Sequence, residues 1–267
     1  MKVLAVTMCK NEEKIMPFFI QHYAEIADTI LLVDNGSTDN TISIARDLGN
    51  KLDTHVVVLN LDTSGFSESL KKSVYETAYR HEMFTGQYDL SIVVDTDEFF
   101  YHPHDTRKQL EDYNKKYKNN LVLKPKGYEM VSETYPVYNG ESILKQVDHG
   151  ARQTIFDKCC CFSSNLVLQA SMGMHYSSHI NPKTRSIVRP RTNRGFFLLH
   201  FKNLGRYNRL ERVKNMRDNL NDLGKLETKN GINDHLLVSD EDLLEFIDSI
   251  YERSSKLDFE ALLKDKS

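Results

Sequence analysis

The sequence predicts an α/β fold: one domain on a mostly parallel central sheet flanked by helices, with a helical C-terminal extension. Three observations carry that expectation. Strand-like and helix-like segments alternate through the first hundred residues, as right-handed βαβ units require. Several short apolar runs there end in polar clusters, the pattern of strands whose carboxyl ends face a ligand. After Gly205 the pattern becomes helical and stays so.

The elements follow in order. Val3 to Thr7 is a strand, and Glu12 to Tyr23 a helix with Ile15, Phe18, Phe19 and Tyr23 apolar. Pro17 falls early in that helix, where a missing N–H is tolerated. Thr29 to Val33 is a second strand. Asn35-Gly36-Ser37-Thr38-Asp39 is a turn that caps a helix to about Leu48, stopped by Gly49-Asn50. His55 to Leu59 is a third strand, Ser67 to Phe84 a helix, and Leu90 to Val94 a fourth strand. Leu121-Val122-Leu123 reads as a further strand, and Gly127 to Tyr138 is rich in β-formers. Lys158 to Phe162 and Leu166 to Leu168 read as a hairpin around Ser163-Ser164-Asn165. Phe196 to Phe201 is another strand. The last helix begins near Ser239, with Leu243, Ile247, Ile250 and Tyr251 along one face.

Composition narrows the class. The 267 residues are 40% hydrophobic and 27% charged, ordinary for a globular protein that buries a sizeable core. A net charge of −3 gives no global argument for nucleic acid. No apolar run approaches the roughly 18 residues of a membrane span. The N-terminus lacks the apolar core of a signal peptide, so a cytoplasmic location is expected. Three of the four cysteines are adjacent, Cys159-Cys160-Cys161. Neighbours on a strand point to opposite faces, so this triplet reads as buried small apolar residues rather than a metal clamp.

The chemistry gathers at strand ends. The first strand leads to Cys9-Lys10-Asn11-Glu12, the second to Asp34 and its turn, and the fourth to Asp95-Thr96-Asp97. Two carboxylates spaced i, i+2 turn their oxygens to one side and suit a hard divalent cation bridging to phosphate. Each cluster alone is also ordinary turn chemistry, but in a parallel sheet all three converge on one edge.

On these residues the chain resembles a family. Asn11-Glu12-Glu13, Val33 to Thr41 and Val94-Asp95-Thr96-Asp97-Glu98-Phe99 are similar to family 2 glycosyltransferases of the GT-A fold, in the branch whose metal motif reads Asp-x-Asp-Glu-Phe. Asp157-Lys158-Cys159, Gly173-Met174-His175 and Leu198 to Lys202 resemble weaker landmarks of that branch. The resemblance implies a nucleotide-binding half over residues 1–105 and an acceptor half over 106–205, with 206–267 as the helical extension. It implies a nucleotide-sugar donor, with Thr7, Asn11, Asp34, Asp95 and Lys158 binding it. It places Asp97 on Mn²⁺ or Mg²⁺, with His200 completing the shell and His175 as the rival histidine. A cation there neutralises the leaving diphosphate.

The departures matter as much. The chain has no tryptophan, so the Gln-x-x-Arg-Trp signature of processive synthases is absent and single addition is expected. Inverting transfer needs a base for the acceptor hydroxyl, yet Lys158 to Leu210 contains no Asp or Glu. Asp148 and Asp157 are the nearest acidic candidates, and a histidine stays open. The same region is strongly basic: Lys183, Arg185, Arg189, Arg191, Arg194, Lys202, Arg206, Arg209, Arg212, Lys214 and Arg217 share it with Glu211. Some of these side chains are expected to bind the donor diphosphate or an anionic acceptor. Contact with the inner face of a membrane is a variant of the same idea. The expected activity is transfer to a glycan or lipid-linked acceptor in surface polysaccharide synthesis. The competing readings are a nucleotidyltransferase and a degenerate sugar-nucleotide-binding protein.

Overall fold

The computed structural model describes residues 1–61, 63, 65–191, 195–230, 232, 236 and 238–264. Arg194 lies outside the described residues. In chain order the elements are β1 (Val3–Cys9), α1 (Met16–Ala24), β2 (Thr29–Asp34), α2 (Thr41–Lys51), β3 (His55–Asn60), α3 (Glu68–Thr77), β4 (Leu90–Val93) and β5 (Glu98–Tyr101). There follow α4 (Thr106–Tyr117), β6 (Val122–Leu123), β7 (Lys126–Ser132), β8 (His149–Arg152), β9 (Cys161–Ser163), β10 (Val167–Ala170), β11 (Ser177–Ile180) and β12 (Phe197–Leu204). The chain closes with α5 (Arg206–Asp218), α6 (Asp222–Lys229), α7 (Asp240–Arg253), β13 (Ser255–Lys256) and α8 (Phe259–Lys264).

The expected mixed α/β architecture is present. The central sheet has the order β3-β2-β1-β4-β9-β6. Its first four strands in that order are parallel, and β9 runs antiparallel between β4 and β6. Every residue of β1 and β2 is buried, because helices cover both faces; such strands read as unbroken apolar runs. Val3, Ala5, Ile30 and Leu32 pack with Phe18, Phe19 and Ala45 of α1 and α2. Leu4, Val6, Leu31 and Val33 pack with Val74 and Tyr75 of α3 on the other face.

A second sheet has the order β13-β8-β7-β12-β5. Its edge strand β5 follows β4 after only residues 94–97, so the Asp-Thr-Asp segment is the crossover between the two sheets. Here the chain leaves a parallel strand at its carboxyl end, the place where open α/β sheets bind ligands. The four cysteines are free and buried, Cys159 in one core cluster and Cys160 and Cys161 in the other. Among the described residues no helix is long and apolar enough to cross a membrane.

Three local expectations are corrected. The turn between β9 and β10 forms, with the Leu166 N–H donating to the Ser163 carbonyl at 2.9 Å, but the two strands do not pair. Strand β9 spends its hydrogen bonds on β4 and β6, and β10 pairs with β11. The helix expected to reach Phe84 ends at Thr77, whose hydroxyl donates back to the Ser73 carbonyl at 2.7 Å; a short 3-10 turn follows. Gly49 does not stop α2, which runs to Lys51. A Cβ at Gly49 would sit 2.5 Å from Val56 Cγ2, so this glycine lets α2 lie close on β3.

Candidate active site

A cavity of about 270 Å³ opens at the carboxyl ends of β1 and β4, with α3 on one side and α5 on the other. Two acid–base clusters line it. In the first, Asp95 accepts from the Tyr75 hydroxyl at 2.6 Å and faces Lys71 Nζ at 3.5 Å and Lys158 Nζ at 3.7 Å. Burial alone would raise this carboxyl, but the two ammonium groups outweigh it and hold Asp95 far below the usual carboxylate range. Lys158 is itself buried and ion-paired to Glu98, which also accepts the Asp95 N–H at 3.1 Å.

In the second cluster Asp97 takes Arg212 Nη1 at 2.5 Å and His200 Nε2 at 3.2 Å. The other arm of Arg212 reaches Glu12 at 2.6 Å. Burial disfavours both ions, yet opposite charge keeps Asp97 well below its usual range and Arg212 well above its own. Burial pushes Glu12 up in spite of Arg212. The Asp97 carbonyl accepts the Phe201 N–H at 2.7 Å, which fixes the crossover against β12. This Glu12–Arg212–Asp97 bridge borders a second cavity of about 260 Å³, lined also by Glu13, Lys14, Asp39, Tyr135 and Asn208.

The sequence candidates divide. Asn11, Asp95, Asp97, Lys158 and His200 all line the first cavity, and so does His175. Asn11 adopts φ +53° and accepts the Thr38 N–H at 2.8 Å, which ties the first strand end to the second. Asp34 is spent locally: it accepts the Ser37 N–H at 3.0 Å and the Ser37 hydroxyl at 2.6 Å, and the next residue, Asn35, meets the cavity. Thr7 is fully buried inside β1 and contributes no cavity surface. Asp148 sits away from the cavity with His149 at 2.7 Å and Lys256 at 3.0 Å. Asp157 accepts the Gly127 N–H at 2.8 Å and pairs with Arg152 at 2.7 Å. It points away while its neighbours Phe156 and Lys158 line the cavity.

A divalent cation can be tested against this donor set. Among the described residues no three His, Cys, Asp or Glu side chains converge on one point. Asp97 and His200 do converge, at 3.2 Å, close to the ~3 Å between adjacent ligands of an octahedral ion bound at 2.0–2.1 Å. The Asp97 carboxylate only accepts, so it places the hydrogen of His200 on Nε2. The buried Nδ1 has no hydrogen-bond partner among the described residues and is open to take that hydrogen when a cation claims Nε2. Hard cations of this size use one or two protein carboxylates and take the rest from phosphate and water. The pair fits such an ion, with Arg212 as its competitor for Asp97.

Several cavity residues escape a sequence reading. Lys71 comes from the second turn of α3, where it looks like any lysine of an amphipathic helix. Arg209, Arg212 and Met216 lie at i, i+3 and i+7 on one face of α5 and form a wall of the cavity. The basic run around them is visible in sequence; which arginine turns inward is not. Lys202 lines both cavities, and burial pushes its ammonium down to about 8.

No curated protein matches the chain significantly. Among solved structures, the chain is similar to glucosyl-3-phosphoglycerate synthase from Mycobacterium tuberculosis at 16% identity, over 49% of this chain and 43% of that one, with a TM-score of 0.28. It is similar to core-mannan synthase A from Aspergillus fumigatus at 8% identity over 50% and 43%, with a TM-score of 0.31. It is similar to the mannosyltransferase Ktr4p from S. cerevisiae at 14% identity over 49% and 38%, with a TM-score of 0.31. The chain spans less than half the length of these structures, and such overlaps carry no statement about its substrate. The sequence itself is decisive: the model of the family described as "Glycosyl transferase family 2" matches residues 5–168, more than half of the chain, and the chain belongs to that family.

Proposed function

We propose that this chain transfers a glycosyl group from a nucleotide-sugar donor to a hydroxyl of a glycan or lipid-linked acceptor, by inversion and one addition at a time. The observation that carries the reading is the meeting, in one cavity, of the Asn11 segment, the Asp95–Asp97 crossover and the cations Lys71, Lys158, Lys202, Arg209 and Arg212. In this reading the nucleoside rests against Met8 to Asn11 and Asn35, behind the turn that Asp34 braces. Lys71 and Lys158 hold the Asp95 carboxylate charged and oriented toward the ribose. Asp97 and His200 hold the divalent cation, Mn²⁺ or Mg²⁺; when bound it neutralises the departing diphosphate. Arg212 then keeps Glu12 and yields Asp97, or shares it.

Neither Asp148 nor Asp157 reaches the cavity, and its own acids are engaged by cations. His175 is the group left for the acceptor proton. Its Nδ1 is 3.0 Å from the Ile155 carbonyl; a carbonyl only accepts, so Nδ1 carries the hydrogen and Nε2 the free lone pair. Burial, with Lys158 behind it, lowers the imidazole below its usual value and keeps it neutral at pH 7. Gly173, at φ +66°, leaves room beside that nitrogen, since a Cβ there would lie 2.8 Å from Nε2.

The decisive experiment is a panel of nucleotide sugars with and without Mn²⁺, read by thermal shift and by release or transfer of the sugar. Cation-dependent sugar release from one donor supports the reading. Pyrophosphate exchange would instead identify nucleotidyl transfer, and binding without turnover of any donor would identify a sugar-nucleotide-binding protein.

A further inference from the structure

Helix α5 carries four arginines, and three of them meet carboxylates. Arg206 makes a two-armed pair with Asp248 at 2.7 and 2.6 Å. Arg212 bridges Glu12 and Asp97 at 2.6 and 2.5 Å. Arg217 meets Asp240 at 3.1 Å. Arg209 is the most deeply buried, only 6% exposed. Among the described residues it makes no hydrogen bond or ion pair through its guanidinium, although it lines the cavity. The acids nearest in charge are engaged: Asp97 and Glu12 by Arg212, and Glu129 by the Asn203 amide at 2.6 Å.

A second cation lines the same cavity from the sheet. Lys202 of β12 lies over the Phe156 ring at 5.0 Å and comes no closer than 4.0 Å to Glu129. Both side chains line the first cavity, and Lys202 lines the second as well. No Arg209 nitrogen is both enclosed and unpartnered: the guanidinium opens into the cavity, where a ligand can supply the acceptor that the fold does not.

We infer that Arg209 and Lys202 form a recognition site for a phosphate group, presented from α5 and β12 to one ligand oxygen cluster. Arginine supplies a planar fork suited to two phosphate oxygens, and lysine a point charge beside it. The phosphate belongs either to the acceptor or to the donor diphosphate. The biological sense of this site rests on the transferase reading, but its test does not.

The test uses the full chain and inorganic phosphate, read by calorimetric titration and by thermal shift. It is run on free protein and on protein saturated with UDP or GDP, for wild type, Arg209→Gln and Lys202→Gln. Phosphate should stabilise the wild type and bind at least tenfold more weakly to each variant. Ligand-free Arg209→Gln should melt no lower than wild type, because the guanidinium makes no ion pair or hydrogen bond among the described residues that the substitution would break. Phosphate binding alongside the nucleotide assigns the site to the acceptor; displacement of phosphate by the nucleotide assigns it to the donor. Unchanged phosphate affinity in Arg209→Gln overturns the inference. So does a ligand-free variant that melts several degrees lower while wild type ignores phosphate, since Arg209 would then be structural. Absence of any active donor would defeat the transferase reading and leave these binding results standing.

Discussion

Asp97 stands at the centre of the second acid–base cluster. It is the acidic partner of both His200 and Arg212. Asp97→Asn keeps its shape and removes its charge. Transfer should fall by at least about 100-fold, the usual cost of losing a charged group that stabilises a leaving group. Near-full transfer with Mn²⁺ present would remove the metal role. His175→Gln should lower kcat with little effect on donor KM. In the wild type, the acid limb of kcat/KM should lie below pH 6.5, because the imidazole is lowered and stays a base until protonated. A pH–rate profile of the variant that keeps that limb would assign it elsewhere. His179 bears on stability instead. It is buried against Phe162, and burial lowers it to about 4. The unfolded chain therefore binds a proton that the fold refuses, and stability falls as pH drops from about 6.5 toward 4. The full effect is about 3 kcal/mol, and urea titrations at pH 7 and 4.5 should show a smaller loss in His179→Leu.

At the level of elements, the cavity depends on how closely neighbouring segments approach. Gly127 in β7 is an example. A Cβ there would lie 2.5 Å from the Phe156 backbone carbon, and its N–H is the donor that Asp157 accepts. Residues 156–158 are thus clamped on β7 so that Phe156 and Lys158 face inward. Gly127→Ala should cost about 1–3 kcal/mol through overpacking and should weaken donor binding as Lys158 shifts. A melting curve with an unchanged midpoint would mean that the segment yields freely. Helix α6 plays a comparable part for α3: Glu227 accepts the N–H groups of Glu68 and Ser69 at 2.8 and 3.0 Å, at the positive end of the helix that carries Lys71.

On the scale of the whole molecule, α5 is a wall of the site rather than an appendage. Arg212 joins it to the segment after β1 and to the β4–β5 crossover. Occupancy of the cavity by a nucleoside diphosphate with Mn²⁺ should therefore slow amide exchange in α5 as well as in residues 95–98. Protection confined to the central sheet would show that α5 is a bystander. Much of this molecule was legible before its structure. Apolar runs alternating with amphipathic stretches specify parallel strands and covering helices, since local periodicity records which faces are buried. The Asn11 segment, Asp95 and Asp97 were legible too, because polar residues placed directly after buried strands have only the sheet edge to occupy. What sequence could not supply is partnership across long separations. That Asp34 is consumed by Ser37, that Asp148 and Asp157 turn away, and that Arg212 rather than a neighbouring arginine meets Asp97 depends on strand pairing and helix rotation. Those are set by packing of the whole core, and a rotation of α5 by one residue would turn a different set of side chains toward the cavity. The sequence by itself determined the fold class and the acidic edge. Only the tertiary structure decided which cations answer those acids, and that Arg209 pairs with none of them among the described residues.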